Sequence, residues 1–380
     1  MRRIVVATLF LVGGLTPALA EDCTAPCVGS KISFGLNGDS IFSASPNTLK
    51  AYSLLPEIGV DSYLLPFENF KLVSVLNFEQ VIEPAVGSNS TFSGLGLYQS
   101  ELYAEYTFDP VTLTVGKIAP VFSLASDVGD GVNAADLASN ADTDESLGAA
   151  AAVDFDVGGY SHSLTGTAFS MDRSFLAKSW FKRRPVPKLS DGGAGNTNGI
   201  SSLSLVLDGC FGAEVGACHE DGDFGYRLGA RYQRHGVPTV DQVDENIIPR
   251  HELALLGALQ SNFDLGEHKL RLMTEVAYIK NFESNPVDAL ILTGIAAYVA
   301  DAWTYSAAYS TQFNSGAGPQ NTARLAELAI AYTPETDPGH RLSDWSISGA
   351  YVYGVDDEKQ KQHLLGLRLK LELGTAYSLR

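Results

Sequence analysis

The chain lacks any long apolar run after its N-terminus. The longest, "ALILTGIAAYVADAW" (289–303), meets Asp301 well short of the roughly 18–20 residues a membrane helix needs. It also lacks a basic tail. With 44 Asp and Glu against 26 Lys and Arg, the formal charge is −18, which argues against nucleic acid as a partner. Cysteine is scarce: Cys23, Cys27, Cys210 and Cys218 are the four, and neither close pair has histidines behind it at metal-site spacing. The histidines (His162, His219, His235, His251, His268, His340, His363) are scattered. No Gly-x-Ser-x-Gly elbow and no phosphate-binding loop occurs. The sequence therefore carries no enzyme signature and calls for no cofactor. No helical stretch or linker divides it, so it reads as one domain after its leader.

The leader is "MRRIVVATLFLVGGLTPALA". Two arginines precede an apolar run, and Pro17 and Ala18-Leu19-Ala20 complete a secretory signal peptide over 1–20, with cleavage before Glu21. As an N-terminal anchor the run is short, and Glu21 and Asp22 separate Cys23 from the cleavage point, unlike a lipid-attachment cysteine. Export permits disulfides. Proximity favours two local loops, Cys23/Cys27 within an N-terminal segment 21–30 and Cys210/Cys218 further on, although sequence alone does not fix the connectivity.

Near the C-terminus "LLGLRLKLEL" places Leu365, Leu367, Leu369, Leu371 and Leu373 on one parity. Gly366, Arg368, Lys370 and Glu372 fall on the other. Successive side chains of a strand point to opposite faces, so this strand separates an apolar environment from a polar one. The same period recurs in "ELYAEYTF", "YRLGARYQ", "KLRLMTEVAY" and "WTYSAAYSTQF". Sixteen such segments are predicted: 31–43, 52–65, 69–81, 96–108, 111–118, 147–155, 160–172, 200–208, 223–234, 251–262, 268–280, 288–299, 302–313, 322–333, 343–353 and 363–373. Alternation is weaker in 52–81 and 147–172. Many exceed the about 5–6 residues usual in soluble strands and match the length that crosses a bilayer at a tilt.

Short and long connections alternate. Turns near 66–68, 109–110, 156–159, 263–267 and 300–301 share one side; the long connections 82–95, 119–146, 173–199 and 235–250 share the other. The turns at 209–222 and 334–342 are longer exceptions, the first holding Cys210 and Cys218. Trp303 and Trp345 start strands at the level where Phe108, Tyr298 and Tyr332 end them, as in an interfacial aromatic belt. The pattern predicts an all-β fold: a transmembrane antiparallel up-and-down β-barrel over 31–380, of about sixteen strands, with long extracellular loops. Closure satisfies every edge N–H and C=O, which an open sheet in hydrocarbon cannot do. A soluble periplasmic sandwich is the competing reading.

"LYAEYTFDPVTLTVGKIAPVFSLASD" resembles the strand–turn–strand unit of bacterial outer-membrane porins, in particular the phosphate-selective porin O/P group. The matching parts are Glu101 to Phe108, the turn Asp109-Pro110, and Val111 to Pro120 with Gly116-Lys117. The detailed likeness covers this unit alone, whereas the general porin pattern covers the whole mature chain. Porins commonly finish on an aromatic; this chain ends "GTAYSLR", with Tyr377 as the nearest. The resemblance implies a passive outer-membrane diffusion channel for small hydrophilic solutes, a homotrimer, and outer-membrane lipid and lipopolysaccharide as surroundings. A barrel plugged by its loops, with a binding or structural role, is the alternative.

In this register the basic residues nearest mid-height are Arg227, Arg231, Arg368 and Lys370, with Arg271 and Arg324 also inward but nearer the rims. A ladder of arginines favours anionic solutes; the plainer expectation is that they pair with Glu101, Glu105 or Glu275. The loop 119–146 is the third long outer connection, and the resemblance to porins implies that it folds inward and narrows the bore, so that its Asp127, Asp130, Asp136, Asp142, Asp144 and Glu145 would face the wall arginines and set up a transverse field. Asp127, Asp130 and Asn133 offer oxygen ligands for calcium, without EF-hand spacing. The plainer reading is a solvated acidic loop. The one dense basic run, "KSWFKRRPVPK" with Lys178, Lys182, Arg183, Arg184 and Lys188, lies in an outer loop, where it faces solvent or attracts anions or lipopolysaccharide phosphates.

Overall fold

Alternation between leucine and charge leaves each strand with an unpaired backbone edge, and only pairing all the way round removes every edge. The computed structural model describes residues 24–143, 145–237, 249–316, 321–334 and 344–378. Among these residues sixteen long strands occur. They are β1 (Cys27–Ser45), β2 (Ala51–Phe67), β3 (Phe70–Gln80), β4 (Leu95–Phe108), β5 (Val111–Ile118), β6 (Ser146–Val157), β7 (Tyr160–Met171) and β8 (Ser202–Phe211). There follow β9 (Phe224–Gln233), β10 (Glu252–Leu265), β11 (His268–Lys280), β12 (Val287–Ala300), β13 (Trp303–Gly316), β14 (Asn321–Tyr332), β15 (Asp344–Val355) and β16 (Lys361–Ser378). Each pairs antiparallel with the next, and β16 returns to β1 from Cys27↔Ser378 to Ser45↔Lys361. The result is a closed antiparallel barrel, with the strands where the alternation predicts them. β1 starts at Cys27, earlier than the expected 31. The signal peptide, Cys23 and Asp144 lie outside the described residues.

Three short pairings dress the rim that carries the long loops. Ser90–Thr91 runs parallel to β2 at Ser53–Leu54, Ser179–Phe181 pairs with β4 at Gly96–Tyr98, and Gly193–Ala194 pairs with His235–Gly236. At the opposite, turn rim, Cys210 and Cys218 form a disulfide across the long turn that contains the helical turn Cys218–Asp221. Cys27 is also disulfide-bonded.

The outer surface is a sleeve of leucine, valine and aromatic side chains. Leu365, Leu367 and Leu369 are exposed while Arg368, between them in sequence, is only 6% exposed. Aromatics gather at both rims. On the turn rim Tyr332 lies between Trp303 and Trp345, with ring centroids 4.7 and 5.7 Å away, and Tyr160 packs on Phe211 at 5.1 Å. On the loop rim Phe42, Tyr351, Tyr353 and His363 form another cluster. Amphipathic rings at two levels bracket the apolar band that hydrocarbon would cover.

This geometry predicts the effect of a charge on each face of β16. Leu367→Arg should destabilise the barrel in lipid by about 2–4 kcal/mol, whereas Lys370→Gln should cost under about 1 kcal/mol. Denaturant titration in liposomes, read by electrophoretic mobility of folded and unfolded forms, measures both. Equal tolerance would contradict the assigned faces.

Candidate functional site: the lumen and its inserted loop

The segment after β5 turns into the barrel and lies against one side of its inner wall. Phe122, Leu124, Ala125, Ala134, Leu137, Ala138 and Ala141 are buried there. The wall they meet is itself apolar: Val206 of β8, Ala254, Leu256 and Ala258 of β10, Met273, Ala277 and Ile279 of β11, and Ala289, Ile291 and Ile295 of β12. A smaller cluster seats Leu137 against Ala323, Leu325, Ala350, Val352 and Leu364. Strands covered on both faces read apolar on both parities. "ELALLGAL" and "ALILTGIAAYVA" show that signal, which locates the docking wall; the inward-facing apolar residues themselves were not predicted.

Polar contacts fix the loop's position on this wall. The Glu275 carboxylate accepts from Ser123 Oγ at 2.7 Å and from the amides of Leu124 and Ala125 at 2.7 and 2.9 Å, at the start of the short helix α1 (Leu124–Val128). Glu327 accepts from the amides of Val132 and Asn133 at 2.7 and 2.5 Å. Arg227 bonds Asp208 at 2.6 Å, Asp127 at 2.5 Å and the Ser123 carbonyl at 3.0 Å. Arg231 donates to Glu252 at 2.9 Å and to the Ala141 carbonyl, its guanidinium 4.6 Å from the Phe122 ring centre. Asp130 is reached by Arg271 at 3.4 Å and, from the disulfide-bearing turn, by His219 at 3.5 Å. Burial pushes Asp136 well above the usual carboxylate range. Burial, reinforced by the neighbouring Asp127, pushes Asp142 up to about 8.

Several expectations are corrected here. The loop acids and wall arginines do not face one another across an open gap. Asp127 is in direct contact with Arg227, and Asp130 is held by Arg271 and His219. Those contacts also take the two carboxylates proposed for calcium, and no cluster of three or more metal-ligating side chains occurs among the described residues. Glu275 binds loop amides and a hydroxyl instead of a wall cation. Arg324 faces outward: it pairs with Thr311 on the outer parity of β13, while its neighbours Ala323 and Leu325 point in. The reason is the apolar inner wall, which leaves "polar faces in" without force on β14. At the rim, a long arginine can reach the headgroup layer.

The basic outer run also divides. Lys178, Lys182, Arg183 and Lys188 are exposed, but Arg184 is turned inward. It holds Glu145 bidentately at 2.9 and 2.6 Å, with its guanidinium 4.1 Å from the Tyr98 ring centre. Fully buried Lys117 bonds Glu145 at 2.6 Å, Asp172 at 3.0 Å, and the carbonyls of Gln99 and Leu176 at 2.6 and 3.0 Å. Glu145 thus joins the roots of both long loops and is not a lone acid in the bore. Gly116-Lys117 enters the sequence reading only through the resemblance to porins, which gives Lys117 no role.

On β1–β4 and β16 the loops reach the inner face toward the loop rim, where Leu364 joins the Leu137 cluster and Arg184 covers Tyr98; below that level this face carries charge. Arg368 bonds Asp39 at 2.8 Å, and Glu372 receives Lys31 at 2.8 Å and Lys370 at 2.6 Å. Lys71 lies 5.6 Å from the Tyr63 ring centre. Glu57, Asp61, Glu101 and Glu105 are half-buried and inward-facing by register, and none has a salt-bridge partner within 4 Å among the described residues.

No protein-family model matches the chain, and no curated protein matches it. Solved structures share its fold. The outer-membrane channel DcaP of Acinetobacter baumannii is 12% identical, with 92% of this chain and 98% of that chain covered and a TM-score of 0.55. OmpT of Vibrio cholerae, in its outer-membrane-expressed form, is 11% identical over 92% and 98%, at 0.51. A BenF-like porin from Pseudomonas fluorescens Pf-5 is 9% identical over 93% and 100%, at 0.50. At such identities the likeness concerns the barrel alone.

Two outcomes test the loop docking. Glu275→Ala should weaken it by about 1–3 kcal/mol, seen as faster hydrogen exchange at the Leu124, Ala125 and Ser126 amides; unchanged protection would remove Glu275 as an anchor. Because the folded loop holds a proton on Asp142 more tightly than the unfolded chain does, its docking is strongest below the unfolded carboxylate pKa of about 4 and declines as pH rises through about 8. Exchange at Ser123, corrected for intrinsic rate, should show that decline, and Asp142→Asn should flatten it.

Proposed function

We propose that the protein is a passive channel of the bacterial outer membrane, exported through a cleaved signal peptide, that lets small hydrophilic solutes diffuse through its lumen. The observation that carries this reading is the division of the lumen. One side of the wall is apolar and covered by residues 119–143, while the inner face of β1–β4 and β16, below Leu364 and Tyr98, keeps charged, half-buried side chains. A closed barrel of about sixteen strands is wide enough for an aqueous channel. The inserted loop then acts as a constriction, and hydrophobic packing, amide–carboxylate bonds and ion pairs hold it in place. The porin-type fold of the solved neighbours supports the outer-membrane location. The sequence likeness to porins supports a homotrimer. Outward Arg324 and exposed Lys178, Lys182 and Arg183 at the loop rim suit the phosphates of lipopolysaccharide.

A plugged barrel with a binding or structural role is the second reading. It is favoured by the Lys117–Glu145–Arg184 network, which draws a further loop toward the lumen beside the first.

Planar-bilayer recording separates the two. The folded protein should give stepwise, water-filled conductance. Removing residues 121–141, which leaves Glu145 and Lys117 in place, should raise the single-channel value. Folded protein that conducts at no voltage would overturn the channel reading. Conductance appearing only after the deletion would favour the plug.

A further inference from the structure

The inward arginines suggest a passage for anions, but their partners reverse that expectation. Arg227 is matched by Asp127 and Asp208, Arg231 by Glu252, Arg271 by Asp130, and Arg368 by Asp39. Lys31 and Lys370 meet at Glu372. Each of these cations has a carboxylate within 4 Å; Lys31 and Lys370 share one whereas Arg227 has two, so the fields of the group as a whole largely cancel at a passing ion. The carboxylates are not all matched in return.

Resting on the channel reading, we infer that the open lane along β1–β4 and β16 passes cations in preference to anions, and that Glu57, Asp61 and Glu101 set this preference. The register brings them together. Asp61 pairs with Val75 of β3, and Val75 with Glu101 of β4, so two carboxylates share one level on the same inner face; on its other side Asp61 stands opposite Lys31 of β1, whose ammonium is held by Glu372. Glu57 lies on the same face of β2, opposite Gly35, where no side chain intervenes. Glu105 pairs across with Lys71, which offsets it at a lower level. Lys71 is the one inward cation of these strands without a carboxylate within 4 Å among the described residues.

The opposite side of the lumen adds to the imbalance by a separate route. Glu275 and Glu327 hold the loop through backbone amides, and neither has a salt-bridge partner among the described residues. Hydrogen-bond dipoles stabilise a carboxylate but leave its net charge in place. Low-dielectric walls concentrate such a field in the lane, lowering the barrier for a cation and raising it for an anion. The solutes that fit are inorganic cations and small organic molecules bearing an ammonium group. The preference belongs to the potential of the whole lane and requires no bound ion.

The full mature protein is reconstituted in planar bilayers under a KCl gradient. The expected reversal potential has the sign for potassium over chloride. The near-isosteric triple variant Glu57→Gln, Asp61→Asn, Glu101→Gln should bring the permeability ratio close to unity while the channel still conducts. Glu83→Gln, in an exposed loop, should leave the ratio unchanged. Chloride preference in the parent protein overturns the inference, as does an unaltered ratio in a conducting triple variant. If the triple variant misfolds, the three single variants, each expected to lower the ratio, decide in the same way. Folded protein without any conductance overturns the channel reading itself and is distinct from both.

Discussion

Backbone amides and carbonyls facing hydrocarbon have no water to bind, and the rest of the structure depends on this constraint. Each strand must find two partners, and the last must find the first. The β16–β1 pairing from Cys27↔Ser378 to Ser45↔Lys361 closes the ring and makes a lipid-facing leucine sleeve admissible. Once the ring is closed, strict alternation assigns every residue to lipid or lumen, and a slip of one position would carry Arg368 into hydrocarbon and Leu367 into water.

The lumen then has a problem of its own. A band of its wall, from β8 to β13, is lined with alanine, isoleucine, leucine, valine and methionine. Left wet, that band would cost free energy; covered, it becomes a hydrophobic core inside a membrane barrel. Residues 119–143 supply the cover. Apolar contact explains why the loop goes in, and the carboxylates explain where it stops: Glu275 takes its first turn and Glu327 its middle. Arg227 and Arg231 close the remaining edges by reaching Ser123, Asp127 and the Ala141 carbonyl. The inserted loop is therefore a folded element, built from the same mixture of packing and satisfied polar groups as a soluble core.

Much of this was legible in the sequence, for one reason. A period of two is imposed residue by residue, so "LLGLRLKLEL" or "WTYSAAYSTQF" announces both the strand and its faces. The rule fails where its premise fails. On β14 the inner face is apolar because Leu137 packs there, so the parity of "NTARLAEL" could not be settled by polarity, and Arg324 was assigned to the wrong side. The loop's entry into the lumen was implied only by the resemblance to porins. Its docking wall showed only as strands apolar on both parities. Lys117 was illegible as an anchor: its partners Glu145, Asp172 and the Gln99 and Leu176 carbonyls come from separate segments that only the closed barrel brings together.

The inward arginines carry the same lesson into electrostatics. Which face a charge occupies follows from parity, a local property of the strand. Whether that charge acts on a solute depends on its partners, and those are set by register and by loops arriving from elsewhere. Arg227 faces the lumen as parity requires, yet it is enclosed between Asp208 on the neighbouring strand and Asp127 on the loop. Asp61 and Glu101 occupy less conspicuous positions, on strands whose alternation is weaker or whose acids look ordinary. Neither has an ion-pair partner within 4 Å among the described residues: β3 presents only Val75 between them, and Lys31, opposite Asp61, bonds Glu372. Long-range pairing consumes charge, so the residues left to shape a pore's potential are those that found no partner, and these need not be the residues a sequence makes most visible.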